Sequence, residues 1–377
     1  MTVEIRPVTT KKEKKDFIQL PWDLHAHDLN WVPPLKIGVK ELLNTKKHPF
    51  YQQAKLQLWN AYRHNKCVGR IAGIINRAHN QFHEDNTAFW GFFECENNAK
   101  TSKALFQAVE QWSKAQDMDL LRGPMNPSTN YECGLQISAF DTKPFIMMTQ
   151  NPPYYVDLVE QAAFSKAKDL FAWLIDHKEA TFDRRLIAKA EAATKEENIK
   201  FRHVDMKRYD EEVANIFAIY NDAWEKNWGF IPMSETEFRL FAKEMKPIIV
   251  PELILIIEIN GEMAGFGALL PDVNQVFSKI RNGRLLPTGL LKLLWHTKVK
   301  KSLTQGRIPI LGVRKKYQSL QLGPLLYMKY LELGPRYGFP VSECSWILED
   351  NKSMNFGLKL MGATKYKTYR IYDKALS

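Results

Sequence analysis

The residues best suited to chemistry lie between Leu311 and Leu326, where Leu-Gly-Val-Arg-Lys-Lys-Tyr-Gln-Ser-Leu-Gln-Leu-Gly-Pro-Leu-Leu reads as a strand, a tight polar turn and a helix. Pro324 suits the first helical turn, where its missing N–H costs nothing. Such a turn aims backbone N–H groups and the positive end of the helix dipole at one point, which is where a pyrophosphate binds. Lys315 and Lys316 add positive charge beside it. An ordinary strand-to-helix loop has the same outline, so the stretch alone leaves both readings open. Metal and redox chemistry find no support. His25 and His27 are two residues apart, and His79 and His83 are four apart without a glutamate beside the first. Cys67, Cys95, Cys133 and Cys344 never form a C-x-x-C pair, so no metal site is expected.

The turn must be positioned by one half of a chain that nearly repeats itself. Val3-Glu-Ile-Arg-Pro-Val8 answers Ile199-Lys-Phe-Arg-His-Val204, and Val68-Gly69 answers Ala264-Gly265, both at an offset of 196 residues. Asn151, Ala162-Ala163-Phe164 and Lys166-Ala-Lys168 answer Asn351, Gly362-Ala363 and Lys365-Tyr-Lys367 at an offset of 199 to 200. Three anchors kept in order imply a duplicated domain, and so long a period means two domains, not a solenoid. Each copy opens with an extended segment and a helix, over 3–8 and 10–25 in the first and 199–204 and 208–226 in the second. A hairpin follows. In the first copy His64-Asn-Lys66 joins 55–63 to 67–76; in the second Asn260-Gly261, a strong hairpin signal, joins 253–259 to 263–270. The second copy continues as strand, helix, strand, helix, strand at 308–313, 322–334, 341–348, 352–361 and 364–372. The expected fold class is α/β, with two tandem domains over 1–178 and 199–377, each a mixed sheet flanked by helices, and an alanine-rich helical linker over 179–198.

With 45% hydrophobic and 25% charged residues in 377, the composition is that of an ordinary globular protein. No window approaches the run of about 18 apolar residues that a membrane span requires. The first residues, Met1-Thr-Val-Glu-Ile-Arg-Pro7 followed by Lys11-Lys-Glu-Lys-Lys15, lack the apolar core of a secretory signal, and a cytoplasmic protein is expected. Lys and Arg exceed Asp and Glu by 53 minus 42, or +11. That excess favours an anionic partner such as a phosphate-bearing cofactor, nucleic acid or a lipid surface, and it also serves plain solubility.

The duplication, the early hairpin and the strand-turn-helix of the second copy together resemble the GNAT superfamily of acyl-CoA N-acyltransferases, over nearly the whole chain as two tandem domains. The superfamily's signature after its fourth strand is Gln or Arg, two residues, Gly, one residue, then Gly or Ala. Here the turn is Gln318-Ser-Leu-Gln-Leu-Gly323, with Gln321 at the first glycine position. The resemblance implies that Val313 holds a pantetheine arm through its backbone. It implies further that Lys315, Gln318, Gln321, Leu322 and Gly323 complete the site for acetyl-CoA or a longer acyl-CoA. Asn351 with Gly362-Ala363 matches a second landmark, an Asn, a helix and a Gly-led pair. Many members place a Tyr seven residues after that Asn to protonate the departing thiolate. Leu358 stands there, so another group must serve. The matching turn of the first copy, Glu96-Asn-Asn-Ala-Lys-Thr-Ser102, has no glycine and no signature. That copy is expected to be degenerate for CoA and to shape the acceptor site with its loop from Gly123 to Pro153.

Acyl transfer to an amine needs the amine deprotonated, the tetrahedral intermediate stabilised and the thiolate released. Glu343, on the predicted strand Val341-Ser-Glu-Cys-Ser-Trp-Ile347, is a candidate base or else a hydrogen-bonded or edge-exposed structural Glu. Tyr366, with Tyr369 and Tyr372, is a candidate proton donor or a packing tyrosine. Asn351 orients a ligand, caps the following helix, or does both. Glu94 and Glu96 share a strand face and are expected to meet solvent or the loop.

The insertion from Phe277 to Lys301 mixes leucines and Trp295 with seven Lys/Arg. It reads either as a surface lying on an anionic membrane or as a helix packed across its own domain. The leading function is an acyl-CoA-dependent N-acyltransferase. Asn151-Pro-Pro-Tyr-Tyr155 and Phe171-Ala-Trp173 look similar to a bacterial group that includes ceramide-forming N-acyltransferases, which implies a lipid acceptor, a long-chain amino alcohol. Two alternatives stand beside it. The basic charge suits an aminoacyl-tRNA-dependent transferase of tandem GNAT-like fold, with tRNA as partner. Leu358 and Gln321 suit a CoA-binding protein without turnover.

Overall fold

The computed structural model describes residues 3–181, 188, 192, 198–320 and 322–376. Its first nine strands are β1 (Glu4–Pro7), β2 (Ala54–Arg63), β3 (Lys66–Asn76), β4 (Thr87–Cys95), β5 (Leu120–Gly123), β6 (Met125–Asn126), β7 (Glu132–Cys133), β8 (Leu135–Gln136) and β9 (Ser165–Asp176). Six more follow: β10 (Ile199–His203), β11 (Ile254–Ile259), β12 (Glu262–Pro271), β13 (Gln305–Val313), β14 (Val341–Leu348) and β15 (Thr364–Ala375). The helical linker expected over 179–198 falls almost wholly outside the described residues, of which Ala188 and Ala192 are helical.

The chain forms two compact units. Unit 1 is Met1–Leu170 with Val276–Leu293 and Lys367–Ser377; unit 2 is Phe171–Gln275 with Leu294–Tyr366. The repeat is contiguous in sequence, whereas the packing is interleaved: the last strand belongs mostly to unit 1, and the end of β9 belongs to unit 2.

Unit 1 orders its strands β1-β2-β3-β4-β5-β15, antiparallel throughout except for parallel β4 and β5. Unit 2 has the order β9-β14-β13-β12-β11-β10, with β10 to β13 antiparallel and β13 parallel to β14. Each hairpin turns through two left-handed residues, His64 and Asn65 at φ 49° and 59°, and Asn260 and Gly261 at 52° and 83°. Two positive φ values define the turn whose twist matches paired strands, which is why Asn-Gly marked the second one. The helix Lys11–Leu24 opens with a capping box between Thr10 and Glu13. The helix Leu322–Arg336 buries Leu322, Leu326, Tyr330 and Leu333, a stripe at helical spacing that packs on β12 and β13.

What positions a site in each unit is the brevity of its parallel pair. In unit 1 β4 and β5 pair only from Thr87 with Leu120 to Phe89 with Arg122. In unit 2 β13 and β14 pair only from Gln305 with Val341 to Ile308 with Cys344. Beyond those pairs the strands part, leaving a fork whose facing backbone groups must find other partners. No helix among the described residues is long and apolar enough to cross a membrane.

Candidate active site

Arg307 and Glu343 face each other across β13 and β14, one pair before the fork of unit 2 opens. Their side chains are 2% and 0% exposed, with Arg307 Nε 3.7 Å from Glu343 Oε1. Ser345 Oγ donates to Glu343 Oε1 at 2.6 Å and accepts from Arg307 Nε at 2.9 Å. Arg307 Nη2 donates to the Ser345 carbonyl at 3.0 Å, and its guanidinium lies 5.1 Å from the Trp346 ring centre. The half-buried Tyr366 hydroxyl donates to the second carboxylate oxygen, Glu343 Oε2. Glu343 and Ser345, two apart on one strand, share a face, while Cys344 points the other way. Burial pushes the Cys344 thiol up to about 12, so it is no nucleophile. The fork thus carries a buried carboxyl group that meets Arg307 and Ser345 on one oxygen and the half-buried Tyr366 on the other.

The cofactor candidates lie farther along β13. Arg314 N–H donates to the Ala264 carbonyl on β12, so by strand alternation the Val313 N–H points away from β12, toward the side on which the fork opens. Gln318 Nε2 meets the Val313 carbonyl at 3.4 Å. A Cβ added at Gly323 would meet nothing within 4 Å, so the first turn of its helix has open space at that position. Leu322 is buried and can offer only backbone; Gln321 lies outside the described residues. Lys315 turns its ammonium to Glu225 and gives its N–H to Asp222 Oδ2 at 2.7 Å. Lys316, Arg314 and Tyr317 all meet Glu262. These ion pairs sit at the surface, where a pair contributes little and a phosphate can displace the carboxylate. Asn351 accepts the Met354 N–H at 3.1 Å and so caps the helix Lys352–Leu360, in which Leu358 is fully buried.

The fork of unit 1 carries a different network. His25 Nε2 lies 2.7 Å from Glu94 Oε2, which also accepts from the Tyr155 hydroxyl at 2.7 Å, and Arg70 Nη2 is 3.6 Å from Glu94 Oε1. Burial pushes the Glu94 carboxyl up, but His25, Arg70 and Tyr155 together outweigh it and hold it below the usual carboxylate range. Glu94, expected to meet solvent or the loop, does not meet solvent: its side chain is 15% exposed and is held by His25, Arg70 and Tyr155. Glu96 accepts from Thr101 Oγ1 at 2.8 Å and Arg63 at 2.6 Å, both within its own unit. Tyr369 and Tyr372 are 0% and 1% exposed and pack in the core.

Sequence reasoning brought Glu343 and Tyr366 to one place and missed Arg307 and Ser345. The available signal was an arginine inside an otherwise apolar strand, Gly306-Arg-Ile-Pro-Ile310, which needed a buried partner. Asn351 acts as a helix cap, and the hydrogen bonds of that group do not include it. Nothing in the sequence joined His25 and Tyr155 to Glu94, because their meeting is set by the packing of the helix Lys11–Leu24 and the helix Tyr154–Glu160.

Comparison with known proteins agrees with this architecture. No protein-family model matches the chain. A tandem GNAT protein from the clavulanic acid biosynthesis pathway superposes over 100% of this chain and 99% of its own at a TM-score of 0.58 and 12% identity. A GCN5-related N-acetyltransferase from Sphaerobacter thermophilus covers 99% and 96% at 0.53 and 12%. These likenesses define the class: the fold is that of the tandem GNAT proteins. Among curated proteins, the bacterial ceramide synthase of Caulobacter vibrioides is 39% identical over 99% of this chain and 98% of its own length. Protein YghO of Escherichia coli K12 is 34% identical over 99% and 95%. The chain belongs to the family of the bacterial ceramide synthase and is an N-acyltransferase.

Proposed function

We propose that this protein moves an acyl group from acyl-CoA to the amine of a long-chain amino alcohol, with the fork of unit 2 as its active site. The Arg307-Glu343-Ser345-Tyr366 network at the mouth of that fork carries the reading. The amine nitrogen attacks the thioester carbonyl, the C–N bond forms, the C–S bond breaks, and one proton must leave the nitrogen while another reaches the thiolate. Tyr366 accepts the amine's proton as its own passes to Glu343. When the C–S bond breaks, Tyr366 gives a proton to the thiolate and regains one from Glu343, a relay over hydrogen-bond distance. Arg307 and Ser345 give the buried carboxyl its partners in a dry site, where an unpaired polar group would be costly. Val313 offers its N–H to the pantetheine arm, and the helix start at Leu322 and Gly323 faces the pyrophosphate, with Lys315 and Gln318 beside it. Asn351 fixes the helix that borders this groove. The acceptor class is drawn from the Caulobacter relative, whose name states ceramide synthesis.

The test is thermal stabilisation of the purified chain by acetyl-CoA, palmitoyl-CoA, free CoA and bulk tRNA at two salt concentrations, with a fatty-acid control. Saturable stabilisation by a CoA species, followed by release of free thiol when a long-chain amino alcohol is added, is the expected result. A salt-sensitive response to tRNA without one to CoA supports aminoacyl transfer instead. Stabilisation by CoA with no thiol release for any amine makes the protein a binder.

A further inference from the structure

The insertion that the proposed chemistry does not use has an unusual surface. Thr288–Leu294 is α-helical and continues without a break through Trp295–Val299. Gly289 is buried, whereas Leu291, Leu294, Trp295 and Val299 are 66%, 46%, 55% and 64% exposed, and Leu286 just before them is 67% exposed. Positions 291, 295 and 299 follow one another at four-residue spacing, with 294 beside them, so the helix turns an apolar stripe outward. Five of the nine exposed large hydrophobic residues among those described lie in these 14 positions, a cluster and not the usual scatter. The charge along this stretch of sequence has one sign. No Asp or Glu occurs from Val273 to Leu331, and Arg284, Lys298, Lys300 and Lys301 are exposed. Lys298, Lys300 and Lys301 make no ion pair among the described residues. Arg281, by contrast, is committed to the carbonyls of Ala26, Asp28 and Trp31.

We propose that this segment docks the protein on an anionic phospholipid surface, burying Leu286, Leu291, Leu294, Trp295 and Val299 among the acyl chains while the lysines meet the headgroups. An apolar stripe of Leu and Trp rimmed by Lys and Arg is the composition that lies in a bilayer interface, where apolar burial and attraction to anionic lipid add. A second copy of the chain fits less well, because a self-complementary contact would oppose the same cations to each other. The docking rests on exposure and charge alone; its use, delivery of a lipid amine, rests on the function proposed above.

The experiment is co-sedimentation of the full chain with vesicles of phosphatidylcholine alone and of phosphatidylcholine and phosphatidylglycerol in equal parts, at low and high salt. Retention on the anionic vesicles is expected, weaker by about tenfold or more on neutral ones and at high salt. The variants K298E/K300E/K301E and L291S/W295S are each expected to lose about tenfold or more in vesicle binding. Both should acylate a detergent-dispersed amine at the parent rate, which keeps failure of docking distinct from failure of the acyltransfer reading. Equal binding to neutral and anionic vesicles, unchanged binding in both variants, or a parent dimer that L291S/W295S dissolves would overturn the proposal.

Discussion

The two forks have the same strands in the same order and opposite contents. In unit 1 the backbone exposed by the parting strands is taken by the protein itself. Asn126 Oδ1 accepts the Phe92 N–H at 2.6 Å, Tyr155 Oη accepts the Cys95 N–H at 2.9 Å, and the Tyr154 hydroxyl donates to the Cys95 carbonyl at 2.9 Å. A Cβ on Gly91 would stand 1.7 Å from the Met125 carbonyl oxygen, so β6 leaves no room beside β4. The helix that follows, Ala99–Lys114, has its first N–H groups filled by Asn98, and the Glu96 carboxylate stands at the same end. An arriving pyrophosphate would meet satisfied donors and a negative charge. In unit 2 the matching strand buries Gly306, Arg307 and Ile308 and then half-exposes Pro309, Ile310 and Leu311, and a Cβ at Gly323 would meet nothing within 4 Å. The difference teaches that a duplicated fold can close one fork by satisfying its own backbone there, without any change of topology.

If the forks differ in this way, a change at one carboxylate should act on turnover and a change at the other on stability. Glu343→Gln is expected to lower kcat by about 10²–10⁴-fold, the usual contribution of a positioned base. Because it also leaves the buried Arg307 without its charge partner, stability must be measured beside it. Tyr366→Phe, which removes only the hydroxyl, should lower kcat by about 10²-fold with the melting temperature nearly kept. Full activity in Tyr366→Phe would return Glu343 to a structural role. Gly323→Trp tests the open space directly. It should fold as the parent does, since a Cβ there meets nothing within 4 Å, and should lose the stabilisation of about 2.7 kcal/mol that a ligand gives at a hundred times its Kd. Retained stabilisation by acyl-CoA would put the cofactor elsewhere.

How much of this was legible in the sequence depends on the range of the interactions. The hairpins, the helix starts and the alternation of the second copy are local, and β14 runs from Val341 to Leu348 as the pattern implied. The fork itself was legible only through resemblance, because the place where two strands stop pairing is set by packing on both faces. Arg307 was missed since its partner is on another strand, and register cannot be read from either strand alone. The partners of Lys315 were hidden for a similar reason: Glu225 and Asp222, which meet it in the turn, lie some 90 residues earlier in the chain. The interleaving of the units was hidden as well, because the repeat marks descent and not contacts.

Smaller effects sharpen the comparison from the side of unit 1. Tyr155→Phe takes the acceptor from the buried Cys95 N–H and a donor from Glu94, and should cost about 1–3 kcal/mol of stability without changing the affinity for acyl-CoA. It should also alter the acid limb of stability. A carboxyl held below its unfolded value stabilises the protein above that value, and the stabilisation is lost as pH falls through the folded one. Removing the Tyr155 bond raises the folded value, so acid unfolding should begin at a higher pH than in the parent. An unchanged acid limb would mean that His25 and Arg70 alone set the Glu94 charge.

The smallest effect separates the repeat-related asparagines. Asn351 caps a helix through one bond, from the Met354 N–H, and Asn351→Ala should cost about 1 kcal/mol. Asn151, at the matching position of the first copy, caps nothing. Its Oδ1 accepts the Gln136 N–H at 2.8 Å and its Nδ2 donates to the Gln136 and Pro152 carbonyls at 3.1 Å, tying β8 to the start of the next helix. One asparagine has thus been kept for a helix end and the other for a loop closure, as the two forks would require if only one must stay open. Thermal melts with and without acyl-CoA decide whether Asn351 does more than cap. Equal losses in both conditions leave it a cap, and a larger loss with acyl-CoA present means that its amide, whose nitrogen is not needed for the cap, also meets the ligand.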